Sequence, residues 1–597
     1  SDLRRGEGMH KTGDLELPTL TVNGALLNAN HEPLERFKAL TTEESAILVL
    51  HQGKVHRLST LLKRDGKPKL YHLLLLAKTN EGYHNLVKLV SESHVDNFYY
   101  KPRTTFSMLQ KYGKGIIGSS ACIAGIIPKL LDNRQVDEAV EWAKKFASCF
   151  EPGDFYIELQ NQGIRTDAGF TQTELNHMLT DVAKAAGLKT IATNDFHYLN
   201  REDAPTQDIL SCIGKATTLD NPDRMKMDGS EFYMKTEEEM RALFSWIPEA
   251  CDNTLEVASK CDFELDWSSM YLPQYPGLRP GESADSRFRD ECEKGLAKRY
   301  GDDWRNVVIN GVNVQERFEY EYKVICDKGF ANYFLIVQDY VQWAKDNGIG
   351  VGPGRGSAAG AIVAYAMNIT SFDPLENGLM FERFLSPQRS EMPDIDMDFD
   401  DEHLQDVLQH VREVYGEDHV CKVITYSTIK AKQAINDANR VLGFPVYKGQ
   451  KLSKMLSNDP RLALPNALHK NEGKEDQYSP DFEEAYKSDK ESRQIIDAAL
   501  AIEGLTRGEG VHACATLIAP TPVTDHVPTK LDTKGNVTIT QYEGHSVADM
   551  GLLKMDFLGL RNLTVIADAE KLIRRHTPDF SIENVDMSDP ATYEMLG

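Results

Sequence analysis

The sequence predicts a multidomain protein of mixed α/β and α+β type, and three observations carry that expectation. The 597 residues suffice for roughly three to four domains of about 100–200 residues each. From Tyr71 to Asn194, short apolar runs alternate with stretches of helical spacing, the rhythm of a parallel sheet closing into a barrel. Further on, an acidic stretch around Ile395 stands between a glycine-rich turn upstream and a strand carrying Lys554 and Asp556 downstream.

Composition narrows the class. Hydrophobic residues at 41% and charged residues at 26% are ordinary for a globular chain and exclude a mainly disordered or fibrous one. No apolar run approaches the ~20 residues that cross a bilayer, and no basic-then-apolar segment opens the chain, so a cytoplasmic protein without a membrane partner is expected. The nine cysteines stand singly, without a Cys-x-x-Cys pair, which suggests neither a disulfide framework nor a thiolate zinc site. A net charge of −24 argues against general adhesion to nucleic acid. It leaves room for a local basic groove.

Residues 1–70 carry little pattern. Beyond them Tyr71–Ala77 is an apolar run suited to a buried strand, and 81–90 has helical spacing. Strands are then expected at 115–120, 154–159 and 189–194, with helices at 136–150 and 172–186. In such barrels the working residues sit at the C-terminal ends of strands. Asp195 and His197 follow one strand end and Cys122 follows another; with His72 they could supply part of a metal site, since imidazole and carboxylate are ordinary ligands for zinc or manganese. The plainer alternative is that each histidine is a core or surface residue.

A Pro- and Gly-bearing linker covers 262–280, and helices are expected at 318–326 and 333–347. Gly350-Val351-Gly352-Pro353-Gly354-Arg355-Gly356-Ser357-Ala358-Ala359-Gly360 leads into the apolar helix 361–367. Glycines let backbone amides approach an anion and a helix start adds its dipole, so the turn reads as a phosphate cradle. No Gly-Lys-Ser/Thr closes it, so it is not a Walker loop. Arg355, Arg383 and Arg389 nearby extend the reading to a triphosphate.

In Glu391-Met392-Pro393-Asp394-Ile395-Asp396-Met397-Asp398-Phe399-Asp400-Asp401, strand alternation would put Asp394, Asp396, Asp398 and Asp400 on one face and the apolar residues on the other. Carboxylates held so close stay ionised only with a cation between them, and hard oxygen ligands suit magnesium or manganese. A solvated acidic turn is the alternative, against which the interleaved apolar residues argue. A calcium loop fails, because its sixth position is Phe399 and its twelfth Gln405.

A helix is expected at 402–415 and a strand at 420–426, and between Cys421 and Leu456 stand Lys422, Lys430, Lys432, Arg440, Lys448, Lys451 and Lys454 against the lone acid Asp437. This reversal of sign marks either phosphate contacts or a solvated basic helix face, within a smaller helical subdomain. Gly551–Leu560 repeats the alternation, with Lys554 and Asp556 sharing a face; the alternative is a salt-bridged structural strand. The last residues, Tyr593-Glu594-Met595-Leu596, read as the start of a helix and the whole as a fragment. Two carboxylates two residues apart, a distant third, an anion-binding turn and several cations are the parts of two-metal phosphoryl transfer.

Gly352-Pro353-Gly354-Arg355-Gly356-Ser357, Phe381-Glu382-Arg383-Phe384-Leu385, Met392–Phe399 and Lys554–Leu560 together resemble the C family of replicative DNA polymerases, to which the bacterial DNA polymerase III alpha subunits belong. The resemblance runs from about Tyr71 to the end. It implies a PHP (polymerase and histidinol phosphatase) barrel over 1–263 and a palm of the polymerase-β nucleotidyltransferase type over 264–425 and 504–560. A thumb over 426–503 and the start of the fingers over 561–597 complete the implied layout. Carried over by position, Asp394, Asp396 and Asp556 become ligands of two magnesium ions, with Asp398 a neighbour. Gly356 and Ser357 would hold the incoming triphosphate, with Arg383, Arg389 and Lys554 on its phosphates, and Lys430, Lys432 and Arg440 would lie near DNA. The implied partners are primed DNA, deoxynucleotides, a sliding clamp and other replicase subunits.

The chain also departs from the family. Nothing in residues 1–70 reproduces the usual His-x-His strand, so His72, Cys122, Asp195 and His197 match only the later ligands of a zinc or manganese PHP site. Val511-His512-Ala513-Cys514-Ala515 has Cys and Ala where Gly-Gly is usual. Two other readings stand beside polymerase: a phosphoesterase or 3′–5′ exonuclease acting through the barrel, and a non-catalytic nucleic-acid-binding scaffold.

Overall fold

The computed structural model describes side chains for residues 70–98, 101–386, 392–535, 537–582, 585 and 588–596, and before residue 70 only strand backbone. Arg389 therefore lies outside the described residues. The chain divides into two compact units, one of residues 1–89, 97–208 and 225–263, the other of 90–96, 209–224 and 264–597.

In the first unit, β1 (Leu3–Thr12), β2 (Leu15–Val22) and β3 (Ala25–Leu26) form an antiparallel sheet, and β4 (Ala46–His51) pairs with β5 (Lys54–Thr60) as a hairpin. A four-stranded sheet follows, of β6 (Leu74–Ala77), β7 (Ile116–Ser119), β8 (Phe155–Leu159) and β9 (Lys189–Ala192), side by side in that order. The alternation of strands with helices Val136–Ala147 and Gln172–Ala186 follows the sequence expectation. The second of these helices shows why its bounds were legible. Thr171 accepts the Glu174 N–H, Glu174 accepts that of Thr171, and Gly187 ends the helix in the left-handed region at φ 71°.

The expected closed barrel is not observed among the described residues. β7, β8 and β9 run parallel, but β6 is antiparallel to β7 and is the sheet's edge, with Leu74 and Leu76 42% and 38% exposed. A continuous apolar run fixes neither a strand's direction nor whether both its faces are covered. The core lies between the sheet and its helices, around Ile116, Ile157, Leu179 and Val182.

The second unit is built on a mixed sheet in the order β12-β17-β14-β13-β16-β15. The hairpin strands β10 (Val308–Ile309) and β11 (Val312–Asn313) precede it. Its strands are β12 (Met397–Phe399), β13 (Val420–Thr428), β14 (Thr506–Ile518), β15 (Thr529–Leu531), β16 (Thr538–Glu543) and β17 (Leu553–Gly559). One face packs on helices Ala284–Tyr300, Val314–Asp327, Ala331–Asp346 and Leu404–Tyr415, in a core that takes Ile395, Met397, Phe399, Leu553, Met555 and Phe557 from the sheet side. Between β13 and β14 the chain forms a helical subdomain, residues 431–502, around Ile435, Leu464, Phe482 and Ile496. None of the described helices is long and apolar enough to cross a membrane.

Candidate active site

The acidic stretch forms less strand than its period suggests. Only Met397–Phe399 is paired, as β12 at the edge of the sheet, parallel to β17 with Met397 beside Phe557. The alternation nevertheless continues upstream: Ile395, Met397 and Phe399 are buried, while Asp394, Asp396 and Asp398 face the other way. It fails at Asp400, which is buried and accepts from the Thr564 hydroxyl at 2.6 Å and the Glu402 N–H at 2.9 Å. The strand ends at Phe399, so the next acid turns inward.

Met397 pairs with Phe557, and the residues just before them, Asp396 and Asp556, lie close to each other where the ladder starts. As a result Asp394, Asp396 and Asp556 each offer a carboxylate oxygen within 4.8 Å of the others, and among the described residues no other trio of His, Cys, Asp or Glu does so. Asp394 is exposed by area, yet the protein around it displaces enough water to hold its carboxyl above the usual range. Asp396 and Asp556 add to that rise and Lys554 opposes it. Lys554 donates to one oxygen of Asp556 at 2.8 Å, while the other, Oδ1, is buried with no hydrogen-bond partner. Three converging carboxylates with an unsatisfied buried oxygen suit hard divalent cations such as magnesium or manganese.

Asp398 stands outside the trio. Its Oδ1 lies 3.1 Å from the Arg355 guanidinium. Its backbone carbonyl accepts the Gly352 N–H at 2.8 Å, and the Gly350 carbonyl accepts that of Asp400 at 2.8 Å. The glycine-rich turn is thereby stitched to the acidic strand, and a Cβ on Gly352 would come within 2.9 Å of that of Asp398. Beyond Arg355 the turn becomes a 3₁₀ segment, Gly356–Gly360, with Gly356 at φ 63° and both Gly356 and Ser357 exposed. The helix after it, Ile362–Ala366, is too short to supply the dipole expected of it.

The turn rests on an ion pair whose acid, Glu321, is fully buried. Arg317 donates to Glu321 at 2.6 Å and to the Gly360 carbonyl at 2.7 Å, and Glu321 accepts the Val363 N–H at 3.2 Å. Burial pushes the Glu321 carboxyl up to about 7, against Arg317 and the backbone donors, which lower it. Arg383 is exposed on a 3₁₀ turn, Phe381–Arg383, without an ion pair among the described residues.

The basic segment divides. Lys422 is only 8% exposed within β13, and burial pulls its amine down to about 8, so it is not a surface phosphate contact. Lys448 pairs with Glu491. Arg440 lies 3.5 Å from the buried Asp437 and donates to the Thr217 carbonyl at 3.4 Å, and Lys432 donates to Asn458 at 2.5 Å. Lys430, Lys451 and Lys454 remain exposed. In β14, His512 Nδ1 accepts the N–H groups of Cys514 and Ala515 at 3.2 and 2.9 Å, which shapes the strand where Ala515 lies opposite Asp556.

In the first unit, Cys122, Asp195 and His197 follow the C-terminal ends of β7 and β9, and the antiparallel β6 brings His72 to the same edge. His72 and Cys122 meet at 3.3 Å, and His197 Nδ1 lies 2.8 Å from the Asp195 carbonyl, with Asp195 at φ 47°. Among the described residues these four do not gather as Asp394, Asp396 and Asp556 do. Sequence reading passed over Glu158, buried on β8 at this edge and bonded to Ser119, Thr193 and Gln160.

Comparison with known proteins agrees with this geometry. A family profile described as "Bacterial DNA polymerase III alpha NTPase domain" matches residues 286–559, and one described as "PHP domain" matches residues 27–162, which reaches well upstream of Tyr71. The DNA polymerase III subunit alpha of Borreliella burgdorferi is 41% identical over 542 residues, 90% of this chain and 45% of that protein. The namesake of Thermus aquaticus is 38% identical over 635 residues, 97% of this chain and 50% of that protein. That of Escherichia coli K12 is 36% identical over 539 residues, 88% and 45% respectively. The chain thus spans about half the length of these relatives. Motifs, sheet and relatives converge: the chain belongs to the family of bacterial DNA polymerase III alpha subunits.

Proposed function

We propose that this chain carries the nucleotidyl-transfer centre of a replicative DNA polymerase, which joins a deoxynucleoside triphosphate to a primer 3′-hydroxyl under template direction. The observation that carries this reading is the convergence of Asp394, Asp396 and Asp556 within 4.8 Å. In this reading the six-stranded sheet is a palm of the polymerase-β type, the helical insertion at 426–503 a thumb, residues 1–263 a PHP domain and 561–597 the start of the fingers.

The three aspartates would hold two magnesium ions, which when bound acidify the attacking hydroxyl and neutralise charge on the leaving pyrophosphate. The protein's own part is positional. Gly356 and Ser357 present backbone N–H groups and a hydroxyl to the triphosphate, and Arg383, Arg389 and Lys554 offset its charge. Lys430, Lys432 and Arg440 follow the DNA backbone. Lys554, already bonded to Asp556, links that carboxylate to the growing negative charge. Zinc or manganese at the His72 edge is the subordinate part of the reading, since of His72, Cys122, Asp195 and His197 the side chains that meet are those of His72 and Cys122. A sliding clamp and other replicase subunits are the expected partners of the full-length protein.

Extension of a primed template by the full-length protein tests the proposal. Asp394→Ala or Asp396→Ala should abolish magnesium-dependent extension and leave primer-template binding intact. Extension that survives either change refutes it.

A further inference from the structure

Asp394 and Asp396 lie just outside the sheet ladder. Strand pairing begins only at Met397, so the backbone that carries both carboxylates has no neighbouring strand to fix it. The peptide N–H between them, that of Ile395, is buried, and such a group needs a partner. It donates to the Tyr333 hydroxyl at 2.8 Å.

Tyr333 is suited to act as that partner. It is 1% exposed on helix Ala331–Asp346, two turns before Tyr340, whose ring lies 4.8 Å from that of Phe557 and 6.1 Å from that of Phe399. One helix thus holds β12 and β17 through Tyr340 and the unpaired stretch upstream through Tyr333. Burial keeps the phenol protonated, and the negative charges of Asp394, Asp396 and Asp556 act in the same direction.

We propose that Tyr333 is a positioning residue for the metal-holding carboxylates: its hydroxyl replaces a missing strand neighbour and fixes the spacing of Asp394 and Asp396. Its activity arm rests on the polymerase reading, whereas its metal-binding arm does not. A side chain that only filled space would tolerate loss of the oxygen. A backbone anchor would not, because the Ile395 N–H would then be buried without an acceptor.

The test is Tyr333→Phe in the full-length protein, with manganese binding followed by electron paramagnetic resonance and single-nucleotide incorporation followed against magnesium concentration. The expected result is manganese affinity lowered several-fold and kcat lowered on the order of tenfold, less than the ~100-fold cost of a 1 Å misplacement. The magnesium half-saturation point should rise, excess magnesium should restore part of the rate, and primer-template affinity should stay as in the parent. Replacement of Tyr333 by 3-fluorotyrosine, which keeps the ring and weakens the acceptor, should give smaller shifts in the same direction and decides the matter if the phenylalanine variant folds poorly. Manganese affinity equal to the parent's in the folded variant overturns the proposal. Asp396→Asn run in parallel separates the two claims: full incorporation by that variant refutes the polymerase reading, while the manganese comparison still judges Tyr333.

Discussion

At the edge of the four-stranded sheet the polar groups answer one another: Glu158 is met by Ser119, Thr193 and Gln160, His72 by Cys122, and His197 by the carbonyl of Asp195. At the edge of the six-stranded sheet they do not. Asp394, Asp396 and Asp556 converge, the Asp394 carboxyl is held above its usual range, and a buried oxygen of Asp556 has no partner. Both edges lie beside the ends of strands and both carry metal-binding residue types, so residue type alone does not distinguish them. What distinguishes them is unbalanced charge, which in a folded protein asks for a ligand.

The comparison breaks most sharply by crossed substitution. Asp556→Asn should lower nucleotide incorporation by at least ~10²–10³-fold, the scale of losing one electrostatic group from a reacting centre. His197→Ala should leave incorporation unchanged. A phosphoesterase working through the first unit predicts the reverse, with activity lost in His197→Ala and kept in Asp556→Asn. Steady-state rates of both variants with both substrate types decide between them.

A second difference lies in the buried glutamate at each site. Glu158 is surrounded by neutral donors, whereas Glu321, beneath the glycine-rich turn, is paired with Arg317 and still has its carboxyl raised to about 7 from the ordinary 4.5. A carboxyl whose folded value is raised gives stability that is complete below the unfolded value and is lost as pH rises through the folded one. Between about pH 4.5 and 7 the parent should therefore lose on the order of 3 kcal/mol of stability that Glu321→Gln does not lose. Urea unfolding midpoints of both proteins at about pH 5 and pH 8 measure it. Equal pH dependence would remove Glu321 as the titrating group.

These residues also show how far the sequence could be read. The period of two marked Asp394, Asp396 and Asp556 as sharing faces, and the second unit's order of turn, acidic strand and Lys-x-Asp strand was legible because each part is local. Asp400 was misplaced because the strand ends one residue earlier, and a pattern of alternation does not show where a strand stops. Lys422 stands among surface charges in a count by sequence, because a charge count carries no burial. A closed barrel is not seen among the described residues, where β6 runs antiparallel to β7, a direction that pairing decides and composition does not. Tyr333 and Glu321 were invisible for a further reason. Each acts on backbone 62 and 42 residues away along the chain, and an amphipathic helix reveals its buried face without revealing what that face touches.

Asp398 gives the smallest expected effect and the finest division within the acidic edge. It shares a face with Asp394 and Asp396, so alternation alone cannot rank the three. In the structure it turns to Arg355 at 3.1 Å and, through its carbonyl, to Gly352. It should then act on the glycine-rich turn and not on metal binding by the trio. Because Arg355 is half exposed, the pair is worth roughly 0.5–1 kcal/mol, and Asp398→Asn should raise the KM for the incoming nucleotide about threefold to fivefold. Manganese affinity and kcat should match the parent. If Asp398→Asn weakens manganese binding as strongly as Asp396→Asn does, Asp398 belongs to the ligand set, and the division of this edge into a metal-holding pair and a turn-holding neighbour is wrong.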